Sequence, residues 1–194
     1  GFNLHDNRAY GIGWLFGLIM GGAGPTWQAM GAEHRPEPDW GYPERLPRYT
    51  PERKGTMAAV SHVKKMWVDC TGICWFASSG LKGADREYLP KVMAYAVGWD
   101  GFSFEEGAIV GERVANLQRL FNLYRGYKAQ DDFDVGKRIL EPIPSGPRKG
   151  WNLGPHFGKM REDYYAYLNW DAPTGAPRPE ALAKVGLADR RIGR

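Results

Sequence analysis

Residues 103–126 read SFEEGAIVGERVANLQRLFNLYRG, the longest segment of the chain with helical periodicity. Ser103 and Glu106 form a capping-box pattern at its start, and Gly126 is a residue type that commonly ends a helix. Apolar side chains recur along the segment at helical spacing and form one stripe: Ile109 or Val110, Val114, Leu117, Leu120 or Phe121, and Tyr124. We therefore predict one long helix that is the framework of the domain.

The remaining sequence reads as helices joined by loops. Helical patterns cover the apolar run from Ile12 to Met20, the segment through Val60, Val63 and Met66 or Trp67, residues 90–98, residues 157–168 and a short piece after Pro179. Residues 34–55 contain five prolines and predict a long surface connection, and residues 134–155 predict a second loop. Because no alternating strand pattern of convincing length appears, we predict a mainly α architecture.

Length and composition indicate an ordinary globular protein. The 194 residues are 43% hydrophobic and 25% charged, and the net charge of +4 comes from Lys and Arg spread along the chain. That distribution indicates a solvated surface rather than a nucleic-acid-binding face. The run from Ile12 to Met20 is too short to span a membrane, and no charged leader precedes it as in a signal peptide. Cys70 and Cys74 are too few for a secreted disulfide framework, so a reducing cytoplasm is the simplest setting.

The segment Asp69-Cys70-Thr71-Gly72-Ile73-Cys74 has the clearest chemical character. It follows a predicted helix and places a carboxylate acceptor, a turn-forming glycine and a soft metal ligand within six residues. A cysteine after such a turn suits an iron–sulfur or zinc site, although one or two cysteines fall short of the usual four. On spacing alone, the alternative is that Cys70 and Cys74 are small buried hydrophobes in a helical core.

Several segments together resemble the C-terminal region of the aldehyde ferredoxin oxidoreductase family, a family of tungsten enzymes. They are Asp69-x-x-Gly72-Ile73-Cys74, the helix from Gly111 to Asn122 continuing to Gly126, the pair Asp131 and Asp132, the ending from Tyr164 and Tyr165 to Asp171, and residues 179–187. Near the start, His5-Asp6-Asn7-Arg8-Ala9 is similar to that family's His-Asp-Pro-Arg segment, with Asn7 in place of proline. Nearly the whole chain is covered. The resemblance implies the C-terminal helical domains of the family without its N-terminal β domain.

The resemblance also implies roles for the residues of the motif. Asp69 corresponds to the residue that binds one of the two pterins holding tungsten, and Cys74 corresponds to the fourth ligand of a [4Fe-4S] cluster. Gly72 and Ile73 supply the backbone close to these cofactors. Cys70 matches no ligand position and is interpreted as a packing residue. The family's other three cluster cysteines lie upstream in a Cys-x-x-Cys-x-x-x-Cys element, which this chain does not contain.

Two departures from the family pattern bear on function. The aldehyde-oxidising members have a histidine near tungsten after the glycine-rich segment, whereas this chain reads Gly21-Gly22-Ala23-Gly24-Pro25-Thr26-Trp27 there. That leaves room for the tungsten benzoyl-CoA reductase branch, which reduces an aromatic ring on a thioester. In addition, residues 1–8 lie inside a family motif and no initiator methionine precedes them, which predicts a fragment or one product of a split gene.

The leading hypothesis is the C-terminal part of a tungsten-pterin, iron–sulfur oxidoreductase that oxidises aldehydes to carboxylic acids with ferredoxin as electron acceptor, inactive without its missing N-terminal part. The alternatives are a tungsten-dependent aryl-CoA reductase, and a cofactor-free helical interaction subunit or inactive fragment. Molybdenum is the alternative metal.

Residues 1–55 are predicted to form a glycine-rich helix and a proline-rich connection lining the active site, and residues 56–194 a helical domain that carries the cofactor motif. The expected partners are ferredoxin or another electron-transfer protein, the missing N-terminal domain or subunit, and a small aldehyde or aryl-CoA substrate; nucleic acid and a membrane span are not expected.

Other chemically active residues have competing interpretations. His5, Asp6 and Arg8 suit an active-site wall as well as a surface turn. Glu112 and Arg113 are neighbours on a helix and point in different directions, which favours structural salt bridges over acid–base chemistry. A divalent-ion site at Asp131 and Asp132 lacks a third oxygen ligand nearby, so a capping or loop role is favoured. Three histidines have no partner at metal-ligand spacing: His34, His62 and His156.

Overall fold

The structure, a computed structural model, describes residues 8, 10–21, 31–79 and 84–188. Across these residues the α-helices are α1 (Ile12–Met20), α2 (Lys54–Cys70), α3 (Trp75–Ser79), α4 (Leu89–Val97), α5 (Phe104–Tyr124), α6 (Lys137–Leu140), α7 (Gly154–Leu168) and α8 (Pro179–Lys184). Short 3-10 turns occupy Gly31–Glu33, Pro38–Trp40 and Ala129–Phe133, and a π-helical turn occupies Ala84–Tyr88. The described residues contain no strand, only two isolated bridges, which confirms the mainly α prediction. The loop predicted at residues 134–155 contains one helical turn, α6.

Helix α2 lies at the centre and is covered by α1, α5 and α7. The main core contains apolar residues of α1, α2 and α7: Ile12, Leu15 and Phe16 of α1, Ala58, Ala59 and Val63 of α2, and Phe157, Met160, Tyr164 and Leu168 of α7. Helix α5 contributes no residue to this cluster. Gly55 lets α2 approach α7 closely, because a Cβ there would lie 2.0 Å from the carbonyl oxygen of Met160. Residues on both sides of position 55 therefore contribute to one core, and the division of the chain at that position stays a prediction.

The long helix predicted at residues 103–126 is present as α5. The amide of Glu106 donates to the Ser103 hydroxyl (3.1 Å) and the amide of Ser103 donates to the Glu106 carboxylate (2.7 Å), so the capping box forms as predicted. The buried side of α5, however, is not the apolar stripe. It consists of small and polar residues: Gly107, Gly111, Glu112, Ala115, Asn116 and Arg119.

The close crossing of α2 and α5 explains why small and polar residues, and not the apolar stripe, form the buried side of α5. A Cβ added at Gly111 would lie 2.1 Å from the backbone oxygen of Val63, and one added at Gly107 would lie 2.6 Å from the ring of Trp67. Larger side chains would not fit between the two backbones. The small residues therefore face α2. The apolar stripe lies on the more exposed side of the helix, although Val110 still packs against the cluster of Trp67, Val68 and Leu89.

The proline-rich connection is fixed by a buried ion pair. Glu33 binds the ammonium of Lys54, and both side chains are almost completely buried. The Glu33 carboxylate also accepts from the first amides of α1, at Gly13 (2.9 Å) and Trp14 (3.0 Å), which would otherwise lack partners. One carboxylate therefore joins the start of α1 to the start of α2.

None of the described helices is both long enough and apolar enough to cross a lipid bilayer.

Candidate cofactor turn and a buried polar cluster

The predicted cofactor motif lies where α2 ends and the chain turns toward α3. We name residues 69–74 the α2–α3 turn. The hydroxyl of Thr71 donates to the carbonyl oxygen of Val68 (2.6 Å) and accepts from the amide of Ile73 (3.2 Å). Gly72 has a φ of 71°, a left-handed conformation that disfavours any residue with a Cβ. The turn predicted around this glycine is therefore present.

Asp69 is paired with a lysine one helical turn earlier. Both of its carboxylate oxygens accept from the ammonium of Lys65, whose side chain is 10% exposed, whereas that of Asp69 is 42% exposed. The same ammonium lies 5.9 Å from the centre of the Trp75 ring, within reach of a cation–π contact. Neighbouring Lys64 lies 5.7 Å from that ring and binds Glu37 at 3.0 Å. The Asp69 carboxylate is thus held from the protein side and open on the solvent side.

Both cysteines of the turn are exposed. Cys74 directly precedes α3, and its carbonyl oxygen accepts from two amides in that helix, at 3.0 and 3.1 Å. Cys70 is the last residue of α2, where partial burial and the nearby charge of Asp69 raise the pKa of its thiol. The interpretation of both residues as buried hydrophobes, and of Cys70 as a packing residue, is therefore wrong. The reason is that the buried part of α2 ends at Val68, so its last two residues project beyond the core.

The turn has room for a group bound against its backbone, because a Cβ added at Gly72 would meet no atom within 4 Å. A carboxylate such as Asp69 can accept from the ring N–H groups of a pterin, and a thiolate such as Cys74 can bind iron. Among the residues that the structure describes, no three His, Cys, Asp or Glu side chains come together as a metal site. The donors present therefore fit one acceptor for a pterin and one ligand for a cluster, and they complete neither site alone.

A second polar group lies inside the core, between α5, α7 and the 3-10 turn Ala129–Phe133. Arg119 donates to both carboxylate oxygens of Asp132 (2.8 and 3.2 Å), to the hydroxyl of Tyr165 (2.7 Å) and to the carbonyl of Gly175 (2.8 Å). Tyr165 in turn donates to Asp132. Burial lowers the pKa of Arg119, but its hydrogen bonds and charge interaction with Asp132 outweigh burial and raise the pKa above the usual value. The Asp132 carboxylate is thus engaged by an arginine and a tyrosine, which argues against a divalent-ion site there.

His62 extends this group toward α2. One ring nitrogen bonds the hydroxyl of Tyr164, and the other lies 3.1 Å from the amide oxygen of Gln118. Complete burial lowers the pKa of His62 from 6.5 to about 4, so the ring is neutral at pH 7. We name the following residues the buried cluster: His62, Arg119, Asp132, Tyr164 and Tyr165.

Glu112 and Arg113 have the structural roles that the sequence favoured. The Glu112 carboxylate accepts from Lys184 at 2.6 Å, and the guanidinium of Arg113 donates to the carbonyl of Val185 at 2.7 Å. The two residues do not pair with each other; each joins α5 to the end of α8.

The remaining candidates are not brought together into one site. Asp131 accepts from the amide of Lys128 at 2.7 Å, which is a capping role. Arg8 donates to the carbonyl of Glu141 at 3.0 Å. His34 is exposed, and His156 stacks on the ring of Trp151. Two predicted segments lie outside the described residues: His5, Asp6 and Asn7, and the glycine-rich residues 22–27.

The sequence alone did not identify Lys65 and Arg119, which bind the carboxylates of Asp69 and Asp132. Lys65 had a local signal, because a Lys and an Asp four residues apart on a helix lie side by side. No local signal marked Arg119, because Asp132 lies outside α5, in the 3-10 turn Ala129–Phe133, and the two residues meet only in the folded chain.

Comparison with known proteins agrees with the resemblance seen in the sequence. The sequence model of the family described as "Aldehyde ferredoxin oxidoreductase, domains 2 & 3" matches residues 3–187. The tungsten-containing aldehyde ferredoxin oxidoreductase of Thermococcus kodakarensis is 36% identical over 154 residues, which cover 77% of this chain and 24% of the relative. The protein of the same name from Pyrococcus furiosus is 35% identical over 151 residues, with the same coverage.

A more distant relative is named for a different activity. The WOR-like subunit of the aliphatic sulfonate oxidoreductase of Pyrococcus furiosus is 31% identical over 87 residues, covering 42% of this chain and 14% of the relative. The chain spans about a quarter of the length of the aldehyde ferredoxin oxidoreductases that it matches. Because the family's sequence model matches residues 3–187, this chain belongs to the aldehyde ferredoxin oxidoreductase family.

Proposed function

We propose that this chain is the C-terminal part of a tungsten-pterin, iron–sulfur oxidoreductase. The observation that carries the proposal is the α2–α3 turn, which exposes the carboxylate of Asp69 and, five residues later, the thiol of Cys74. Support for tungsten comes from relatives whose names include it. Molybdenum is the alternative metal for the same pterin site.

Each residue of the turn has a distinct proposed role. Asp69 accepts hydrogen bonds from one pterin, with Lys65 fixing its orientation. Gly72 and Ile73 provide backbone that a planar group can approach closely. Cys74 is one thiolate ligand of a [4Fe-4S] cluster, and the other ligands come from a missing N-terminal domain or subunit.

The proposed net reaction is the oxidation of an aldehyde by water to a carboxylic acid, with two electrons passing to ferredoxin and two protons released. When bound, the tungsten-pterin group would supply the two-electron chemistry and the cluster a path for the electrons. The residues of this chain bind and orient these groups, so activity requires the missing part of the enzyme. Exposed thiolate ligands favour a reducing compartment, and we propose the cytoplasm.

A second candidate is the reduction of an aryl-CoA thioester on the same scaffold. It is favoured by residues 21–27, which contain no histidine at the place where the resemblance puts a proton-transfer group. Assays of the complete complex with an aldehyde and with benzoyl-CoA, with electron transfer measured in each direction, distinguish the two reactions.

The test of the proposal is elemental analysis for tungsten, molybdenum and iron on the chain purified anaerobically from its native source with everything that stays bound to it. We expect tungsten together with about four irons per complex. A metal-free complex would contradict the proposal and leave a helical interaction subunit.

A pair of cysteine variants makes the test specific to the turn. Cys74→Ser is expected to lower the iron content and abolish electron transfer, because one cluster ligand is lost. Cys70→Ser, at the other exposed cysteine four residues away, is expected to change neither. Equal iron content in both variants would show that Cys74 is not a ligand.

A further inference from the structure

An open groove lies where the loop before α5 meets the first half of that helix. It has a volume of about 650 Å³, and its apolar lining includes Trp99, Phe102, Ile109 and Val110. Its charged lining consists of Asp100, Glu106 and Arg113. Trp99 is 55% exposed, so the aromatic part of the groove is open to solvent. A groove of this size with apolar walls and a few charged groups is typical of a binding site.

The groove lies over the hydrophobic cluster on which the α2–α3 turn packs. Phe102 and Val110, two of its lining residues, pack against buried Trp67, and their rings and side chains belong to one cluster with Ile73 of the turn. The rings of Phe102 and Trp67 lie 5.4 Å apart. Whatever fills the groove therefore also covers part of the cluster that supports the turn.

The chain that follows α8 starts beside the Arg113 end of the groove. The guanidinium of Arg113 donates to the carbonyl of Val185 at 2.7 Å, which fixes the end of α8 against α5. Two residues later, Leu187 is 5% exposed and its amide donates to the carbonyl of Leu182 at 2.8 Å. Residues 189–194 come next; they lie outside the described residues and outside the part of the chain that the family's sequence model matches. We propose that residues 189–194 bind in this groove as an extended segment running from Arg113 toward the aromatic part.

The length of the segment matches that of the groove. Helix α5 rises about 1.5 Å per residue, so Arg113 and Glu106 lie about 10 Å apart along its axis. An extended chain advances about 3.3 Å per residue, so Ile192 lies about 10 Å beyond Asp189. When Asp189 starts beside Arg113, an opposite charge, Ile192 reaches the aromatic part of the groove next to the start of α5. Burying this isoleucine against aromatic rings supplies the apolar contribution to binding.

Charge favours the same placement. In an extended segment alternate side chains point to one side, so Arg190 and Arg194 flank Ile192 on the side that faces the groove. The acids of the lining, Glu106 and Asp100, lie in that part of the groove. With three arginines and one aspartate the segment has a net charge of +2, whereas the lining has two acids and one arginine. The segment and the groove are therefore complementary in charge as well as in apolar character.

The direct test is photocrosslinking within the full chain. A benzoylphenylalanine photocrosslinker placed at Trp99 is expected to capture residues 189–194, and mass spectrometry of the digested product identifies the captured peptide. The same photocrosslinker at Tyr95 is the control, because Tyr95 is an 88% exposed aromatic residue of α4 that does not line the groove. Capture of other peptides from position 99, or equal capture from the two positions, would overturn the proposal.

Variants of the segment test its contacts. Ile192→Glu is expected to lower capture from position 99 at least about tenfold, because it removes the buried apolar side chain and puts an acid among acids. Ala183→Glu adds the same charge at an exposed position of α8 and should leave capture unchanged. Arg194→Glu is expected to lower capture about threefold, the effect of one surface ion pair, and the double variant with Asp100→Lys should recover most of it. Equal capture by the Ile192 and Ala183 variants, or no recovery in the double variant, would contradict the proposed placement.

Two further measurements separate this occupant from others. In an equal mixture of isotope-labelled and unlabelled chains, the captured peptide should come from the chain that carries the photocrosslinker; products of mixed isotope content would place a second copy in the groove. In the complete complex, capture of the missing part of the enzyme from position 99 would place that part in the groove. Either of these two results would overturn the proposal.

Discussion

The buried cluster and the α2–α3 turn each pair one carboxylate with one cation, but they do so in opposite surroundings. Asp132 and Arg119 are 4% and 5% exposed, and Tyr165 and a backbone carbonyl occupy further positions around them. Among the described residues, the Asp69 carboxylate is bound by Lys65, and its side chain is 42% exposed. Both regions contain an acid that the sequence marks as a candidate ligand.

The difference shows that the number of hydrogen bonds a carboxylate already accepts within the protein decides whether it can also bind a ligand. The acid in the buried cluster uses its oxygens to join three elements, so its contribution is to stability. The acid in the α2–α3 turn keeps capacity for another hydrogen bond, so it can serve a ligand. Replacing Arg119 in the buried cluster should therefore cost much stability, whereas replacing Lys65 in the α2–α3 turn should cost little.

The largest effect is expected from Arg119→Met. This change leaves Asp132 buried without its cation, and breaking a buried ion pair in this way costs about 3–5 kcal/mol of unfolding free energy. Urea unfolding followed by circular dichroism measures the loss. The double variant Arg119→Met with Asp132→Leu removes both charges and should recover part of it. A single variant as stable as the wild type would show that the cluster does not hold the fold.

An effect of intermediate size is expected from pH at His62. Burial lowers the pKa of this residue from 6.5 to about 4, so between these values the unfolded chain binds a proton that the folded chain does not. The free energy of unfolding therefore falls as pH drops from 6.5 to about 4, by about 3 kcal/mol in total. Above pH 6.5, His62 contributes nothing to the pH dependence of the free energy of unfolding.

The measurement compares wild type with His62→Gln, which retains hydrogen-bonding capacity toward Tyr164 and Gln118. The variant should lose some stability at neutral pH and show a flatter pH dependence in the acid range. Parallel curves for the two proteins between pH 6.5 and about 4 would mean that His62 is not the titrating group.

Local signals predicted much of the fold, and tertiary packing determined the rest. The start of α5 follows from Ser103 and Glu106, and the turn after α2 follows from Gly72, because each depends on residues a few positions apart. The buried side of α5 could not be read from its apolar periodicity, since the close approach of α2 selects small residues such as Gly111. Within the candidate site, the same limit applies: the position of Asp69 was predictable, but the exposure of both cysteines depended on where the core ends along α2.

The smallest stability effect, and the sharpest functional contrast, is expected from Lys65→Gln. Lys65 and Asp69 form a pair four residues apart with the acid 42% exposed, so losing it should cost less than about 1 kcal/mol. Lys159→Gln is the control, because Lys159 pairs with Asp163 at the same spacing on α7, where the lysine is 70% and the acid 29% exposed. In the anaerobically purified complex, only Lys65→Gln should lower the tungsten content, since only there does the lysine orient a proposed pterin acceptor. Equal tungsten retention by the two variants would mean that the Lys65–Asp69 pair is a surface ion pair like the one on α7 and not part of the cofactor site.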